Sequence, residues 1–73
     1  MDIGSKIKKS RADAKITQEQ AAQALGISRQ TISNWENERS YPDIVSVLKM
    51  SELYSVSLDY LLKGEGPMKD YLD

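Results

Sequence analysis

The stretch "GISRQTISNWE", residues 26–36, holds three large apolar side chains, Ile27, Ile32 and Trp35, among short polar ones. On an α-helix each residue turns the side-chain direction by about 100°. With Arg29 at zero, Ser33 falls at about 40°, Asn37 at about 80°, Gln30 at about 100° and Asn34 at about 140°, one continuous polar arc. Thr31, Trp35, Ser28 and Ile32 fall between about 200° and about 300°, on the opposite side. A helix that needed only solvation would turn Lys and Glu outward. This one turns out a guanidinium, carboxamides and a hydroxyl, a set of hydrogen-bond donors and acceptors suited to recognition rather than to bond breaking. A merely solvated helix surface is the competing reading of the arc.

Catalysis has little to work with. The 73 residues include no His and no Cys, which excludes the commonest general base, Ser–His nucleophiles, disulfides and thiolate metal sites. Glu36, Glu38 and Asp43 could be imagined as paired carboxylates, yet the chain has no glycine-rich phosphate loop and is too short for a cleft between domains. The expectation is a protein that is not an enzyme, with no cofactor, no metal and no evident small-molecule ligand. A composition of 40% apolar and 29% charged residues belongs to a globular chain, one small domain with a small core and marginal stability. The lysines of "SKIKKSR" are followed by polar residues and alanines rather than by an apolar run, and no window approaches the length of a membrane span. A cytoplasmic location without membrane contact is expected. The net charge is −1, but residues 1–42 hold seven basic residues against five acidic ones, and residues 43–73 three against six. The polar arc lies in the positive half.

The elements that must position this arc read as helices throughout, with no sustained alternation of period two. A first helix over about residues 3–14 puts Ile3, Ile7 and Ala14 on one side, with Arg11 in the same row. Thr17 is placed to cap a second helix, with Gln20 three residues on as in a capping box. Its apolar residues Ala21, Ala22 and Ala24, ahead of Leu25, are small enough to let another helix approach. Gly26 suits the left-handed position that ends that helix, and Ser28 is placed to cap the third. Trp35, on the inner arc, reads as core. Residues 37–41 form a loop, and Pro42 with Asp43 fits the first turn of a fourth helix. That helix runs to about Tyr54, with Ile44, Val47, Leu48, Met50 and Leu53 available for the core. A fifth starts at Ser57, carries Leu58, Leu61 and Leu62, and stops at Gly64. The division is then residues 1–63 as the domain and residues 64–73 as a Gly/Pro linker and short amphipathic tail. Met68, Tyr71 and Leu72 in that tail suggest a dimer contact, an arm lying back on the domain, or the beginning of something longer. Tyr54 and Tyr60 are the other candidates for self-association.

A short helix, a tight glycine turn and a second short helix within about twenty residues are the signature of a helix-turn-helix. "TQEQAAQALGISRQTISNWE", followed by "NERSYPDIVSVLKMSELYSVSLDYLL", closely resembles the phage Cro and lambda-repressor-like helix-turn-helix family, also called Xre, over about residues 3–62. Gln18, Ala22, Gly26, Ile32 and Trp35 occupy the family's expected places. The resemblance implies an all-α fold, a compact five-helix lambda-repressor-like bundle whose third helix enters the major groove of double-stranded DNA. By the same resemblance Arg29, Gln30, Ser33 and Asn34 contact base edges. Thr17, Gln18, Thr31, Asn37, Arg39 and Ser40 contact phosphates, and Arg11 with Glu36 forms a salt bridge between the first and third helices. The side-chain chemistry agrees, since Arg can donate two parallel bonds to guanine and Gln or Asn can pair with adenine in the same bidentate way. The implied function is that of a bacterial or phage transcriptional regulator, a repressor, bound as a homodimer to an operator with inverted half-sites. A protein-interaction module of the same fold, an adaptor or an antitoxin-like component, is the alternative; the near-neutral charge speaks for it and the polar arc against it.

Overall fold

The computed structural model describes residues 3–63, and all of their regular structure is helical. The proposed stop at Gly64 and the tail with Met68, Tyr71 and Leu72 lie outside the described residues. The helices are α1, Ile3–Asp13; α2, Gln18–Leu25; α3, Arg29–Glu36; α4, Ile44–Tyr54; and α5, Leu58–Lys63. Local signals explain where they begin. Thr17 has an extended backbone; its hydroxyl accepts from the Gln20 N–H at 3.0 Å, and the Gln20 side chain accepts from the Thr17 N–H at 2.9 Å. This reciprocal capping box satisfies two amide groups that the first turn of α2 leaves without partners. Ser28 caps α3 by accepting from the Thr31 N–H at 3.1 Å, and Ser57 does the same for α5 through the Tyr60 N–H.

The helix ends follow one rule. After α1, α2, α3 and α4 one residue turns left-handed: Lys15 at φ 60°, Gly26 at 70°, Glu38 at 59° and Ser55 at 57°. At each, two backbone N–H groups fold back onto the last carbonyls, as Gly26 to Gln23 and Ile27 to Ala22 after α2. These are Schellman ends, and only one of the four uses the residue that adopts the conformation without penalty.

The core gathers Ile3 and Ile7 of α1, Ala21 and Ala22 of α2, Ile32 and Trp35 of α3, Val47, Met50 and Tyr54 of α4, and Leu61 and Leu62 of α5. α3 packs against α1 and α2, while α4 closes the other side against α1, α2 and α5. Ala21 and Ala22 are the small residues that permit the close approach of α2, whereas Ala24 is exposed.

Three expectations for α4 and its entry need correction. Ile44 and Leu48 do not enter the core; they are 53% and 47% exposed. Tyr54, a candidate for surface self-association, is instead buried at 3% exposure. The reason is that α4 is apolar nearly all round, so spacing alone does not say which of its two stripes faces inward. Val47, Met50 and Tyr54 follow one another at steps of three and four and take the inner side. Pro42 and Asp43 also precede the first turn instead of forming it, with Asp43 in the extended conformation of a cap. Its carboxylate accepts from the Ser46 hydroxyl at 2.6 Å, and this bond holds it below its ordinary pKa.

Candidate nucleic-acid interface

α3 is held from one side and open on the other. Ile32 and Trp35 anchor it in the core, while Arg29 and Gln30 are exposed and Ser33 and Asn34 half-exposed. The four side chains expected to meet base edges therefore lie on one accessible face. Two of them are already paired, because the Gln30 side-chain N–H donates to Asn34 Oδ1 at 3.1 Å, one helical turn away. Such a pair restricts rotamers before any ligand arrives, and restricting them lowers the entropy lost on binding. Asn37 at the end of the face donates to the Ser33 carbonyl at 2.9 Å and lies 3.3 Å from its hydroxyl.

The residues expected to touch phosphate fall into two groups. Thr17 and Gln18 stand at the start of α2, and with Arg11, Glu19 and Arg29 they line a cleft of about 370 Å³. Arg29, read from the sequence as a base contact, thus borders the cleft formed by two phosphate candidates. Asn37, Arg39 and Ser40 form the second group, exposed at the end of α3 and in the loop beyond it. Thr31 belongs with neither; its hydroxyl lies 2.9 Å from that of Ser28, within the cap of α3.

Behind the face lies an ionic network. Arg11 Nε donates to Glu36 Oε2 at 2.7 Å and Nη2 to Oε1 at 3.1 Å, a two-pronged pairing of guanidinium with carboxylate. The Glu36 side chain is 1% exposed and that of Arg11 13%. Arg11 Nη1 also donates to the Ile16 carbonyl at 2.8 Å, and the hydrogen bond to Glu36 raises the guanidinium pKa further. Gln18 Nε2 donates to Glu36 Oε1 at 3.1 Å. One carboxylate therefore receives bonds from α1 and from α2 while being carried by α3. Gln18 is thereby fixed against the end of α3 rather than swinging free.

A second tether was not visible in the sequence. Glu38, left-handed and just past α3, accepts from the Gly4 N–H at 3.1 Å. A Cβ at Gly4 would stand 2.6 Å from the Glu38 side chain and 2.7 Å from the Trp35 carbonyl oxygen. Only the missing side chain of Gly4 lets α1 meet the end of α3 so closely. The contact also directs an acidic group of the loop onto the N-terminus of a helix, where negative charge is favoured. No motif of residue types announces this pair, since the two partners are 34 residues apart.

Comparison with known proteins places this geometry. Residues 7–61 match the helix-turn-helix family. The HTH-type transcriptional regulator ImmR of Bacillus subtilis (strain 168) is 42% identical over 74 residues, covering all of this chain and 58% of ImmR. The HTH-type transcriptional activator BcrR of Enterococcus faecalis is 40% identical over 65 residues, 89% of this chain and 32% of BcrR. The chain thus spans from about a third to somewhat over half of these relatives. The crystal structure of the P22 c2 repressor protein in complex with a synthetic operator superposes with a TM-score of 0.80 at 34% identity, over 89% of this chain and 98% of that one.

Proposed function

This chain belongs to the helix-turn-helix family, and on that footing we propose that it binds double-stranded DNA sequence-specifically as a transcriptional regulator of the repressor type, with α3 in the major groove. The observation that carries the reading is the face of α3: Arg29, Gln30, Ser33 and Asn34 stand accessible on a helix locked behind by Ile32, Trp35 and the Glu36 network. A locked helix presents its donors and acceptors at fixed positions, which is what reading base edges needs. The superposition on an operator-bound repressor supports both DNA as ligand and repression as outcome.

Thr17, Gln18 and the N-terminus of α2 hold one phosphate, and Asn37, Arg39 and Ser40 another; these contacts set register while the base contacts carry specificity. No bond is made or broken. A homodimer on inverted half-sites follows from the need to place two recognition helices on one face of the duplex, about 34 Å apart or a multiple of it. Such a regulator works in the cytoplasm, where its DNA is, and none of the described helices is long and apolar enough to cross a membrane.

The test is selection from a random DNA pool by the purified protein and by an Arg29→Ala/Gln30→Ala double variant. An inverted repeat enriched by the first and lost with the second is the expected result. Capture without any sequence preference would leave only phosphate binding. If instead binding to a protein partner were the function, retention on DNA would show no steep fall between low and moderate salt, because no counterions would be released.

A further inference from the structure

The carboxamides of Gln30 and Asn34 leave α3 on the same side, at about 100° and about 140° around its axis and about 6 Å apart along it. Gln30 is exposed and Asn34 half-exposed, and Gln30 Nε2 donates to Asn34 Oδ1 at 3.1 Å. Asn34 is the firmer partner. Its side chain is one methylene shorter, it lies in the sequence between the buried Ile32 and Trp35, and its backbone carbonyl accepts from the Arg39 N–H at 2.9 Å. The Ser33 hydroxyl lies instead 3.3 Å from Asn37 Nδ2, a second pairing of residues four apart that runs beside the first. The longer carboxamide is therefore steered by the shorter one.

A carboxamide nitrogen carries two hydrogens, and the oxygen beside it two lone pairs. In this pair one Nε2 hydrogen of Gln30 is committed to Asn34, which leaves one hydrogen and the whole of Oε1 to face a ligand, a donor beside an acceptor. In the major groove adenine carries the complement on a single base, the N7 acceptor and the N6 donor, whereas guanine carries two acceptors, N7 and O6. A free carboxamide serves guanine by pointing both Nε2 hydrogens at it. One held by Asn34 has to break its bond first, and turning Oε1 toward guanine O6 instead sets two acceptors against each other with neither satisfied. We propose that Asn34 is a positioning residue, which by taking one hydrogen of Gln30 makes Gln30 read adenine and refuse guanine. The inference rests on the DNA reading above and names the base that one of its contacts takes. Asn34 keeps both Nδ2 hydrogens for a contact of its own, so the two residues select bases as a unit and Gln30 alone discriminates less.

The experiment runs the random-pool selection with wild type, Gln30→Ala, Asn34→Ala and Asn34→Asp, after thermal melting has shown each variant folded. Binding is then measured on duplexes that differ only at the base pair whose preference Gln30→Ala loses. Wild type is expected to favour adenine over guanine there by about tenfold or more. Asn34→Ala should bring that ratio to about twofold or below, because the freed carboxamide serves both bases. Asn34→Asp retains an oxygen that accepts from Gln30 and adds a charge that phosphate repels, so it should bind every duplex more weakly and keep the adenine preference. A ratio that Asn34→Ala leaves unmoved overturns the proposal, even where affinity falls. So does guanine at that base pair in wild type, the mark of carboxamides paired the opposite way with Asn34 as donor. A DNA-free arm separates this inference from the reading it rests on. In the free protein the Gln30 side-chain amide protons should shift on Asn34→Ala and less on Asn34→Asp; no shift overturns the pairing. If they shift but no pool sequence is enriched, the DNA reading fails and takes the adenine assignment with it, whereas an enriched motif with guanine under Gln30 removes this inference alone.

Discussion

Arg29 and Gln30 stand exposed at the first turn of α3, so truncating either removes a proposed base contact without opening the core. Arg29→Ala or Gln30→Ala should cost about 1–3 kcal/mol on the selected operator and relax preference at one base pair. Arg39→Ala should instead weaken all sequences alike and lower the slope of log affinity against log salt by about one unit. Competition titrations at several salt concentrations check both. Because Arg29 also borders the cleft of Thr17 and Gln18, equal losses on every sequence would reassign it to the phosphate backbone. Tyr54 carries a prediction of another kind. Among the described residues its hydroxyl has no hydrogen-bond partner, and burial, with the nearby Glu36 charge adding, pushes its pKa up from 10.0 to about 12. The native state therefore binds this proton more tightly than the unfolded chain does. The contribution is complete below about pH 10 and is lost as pH rises through about 12, a loss of about 2 kcal/mol. Tyr54→Phe should lack that alkaline loss when urea unfolding is followed from pH 8 to 12, and at neutral pH it should be at least as stable as wild type, since an unpartnered buried hydroxyl is removed.

The left-handed ends of the helices allow one effect to be separated from another. Ser55 and Glu38 hold nearly the same backbone angle, but among the described residues only the Glu38 side chain returns a hydrogen bond, to the Gly4 N–H. Ser55→Gly should raise stability by about 0.5–1 kcal/mol, the relief of a side chain from left-handed geometry less the entropy glycine adds to the unfolded chain. Glu38→Gly relieves the same strain and loses the bond, so its gain should be smaller or reversed. Gly4→Ala, with no room for a Cβ, should lose about 1–3 kcal/mol. Equal gains from the two glycine substitutions in denaturant melts would show that the Glu38 tether contributes nothing. These same positions mark how far the sequence could be read. Gly26, Thr17, Gln20 and Ser28 were legible because their residue types match what a turn or cap requires at that place. Lys15, Glu38 and Ser55 were not, because nothing local distinguishes a left-handed lysine from a helical one; the backbone bonds that fold each helix end over impose the angle. The exposed arc of α3 was legible for a related reason, its polar and apolar residues separating cleanly at helical spacing. α4 presents two apolar stripes, and tertiary packing alone decided that Ile44 and Leu48 stay outside.

For the whole molecule, Glu36 is the point where three helices are joined, through Arg11 of α1 and Gln18 of α2. A buried pair of this kind need not add net stability over a well-packed apolar substitute, but removing one partner strands the other charge. A domain of this size has about 4–11 kcal/mol of stability in all. Glu36→Ala leaves the Arg11 guanidinium, largely buried, without its carboxylate, and a loss of about 3–5 kcal/mol is expected, enough to bring the domain near its unfolding threshold. Glu36→Gln keeps one acceptor oxygen for Arg11 or Gln18 and should lose less. DNA then separates instability from misplacement of the exposed face of α3. A ligand at 100 times its Kd adds about 2.7 kcal/mol to the native state. If Glu36 matters only for stability, Glu36→Gln with saturating operator should regain a melting shift equal to that of wild type, with the same base preferences. If the network also aims α3, the shift should be smaller and the preferences relaxed, because Gln18 and α3 are then no longer held to one another at a single distance. The second outcome is the one expected, since the carboxylate receiving both bonds sits at the last residue of α3, the helix proposed to enter the major groove.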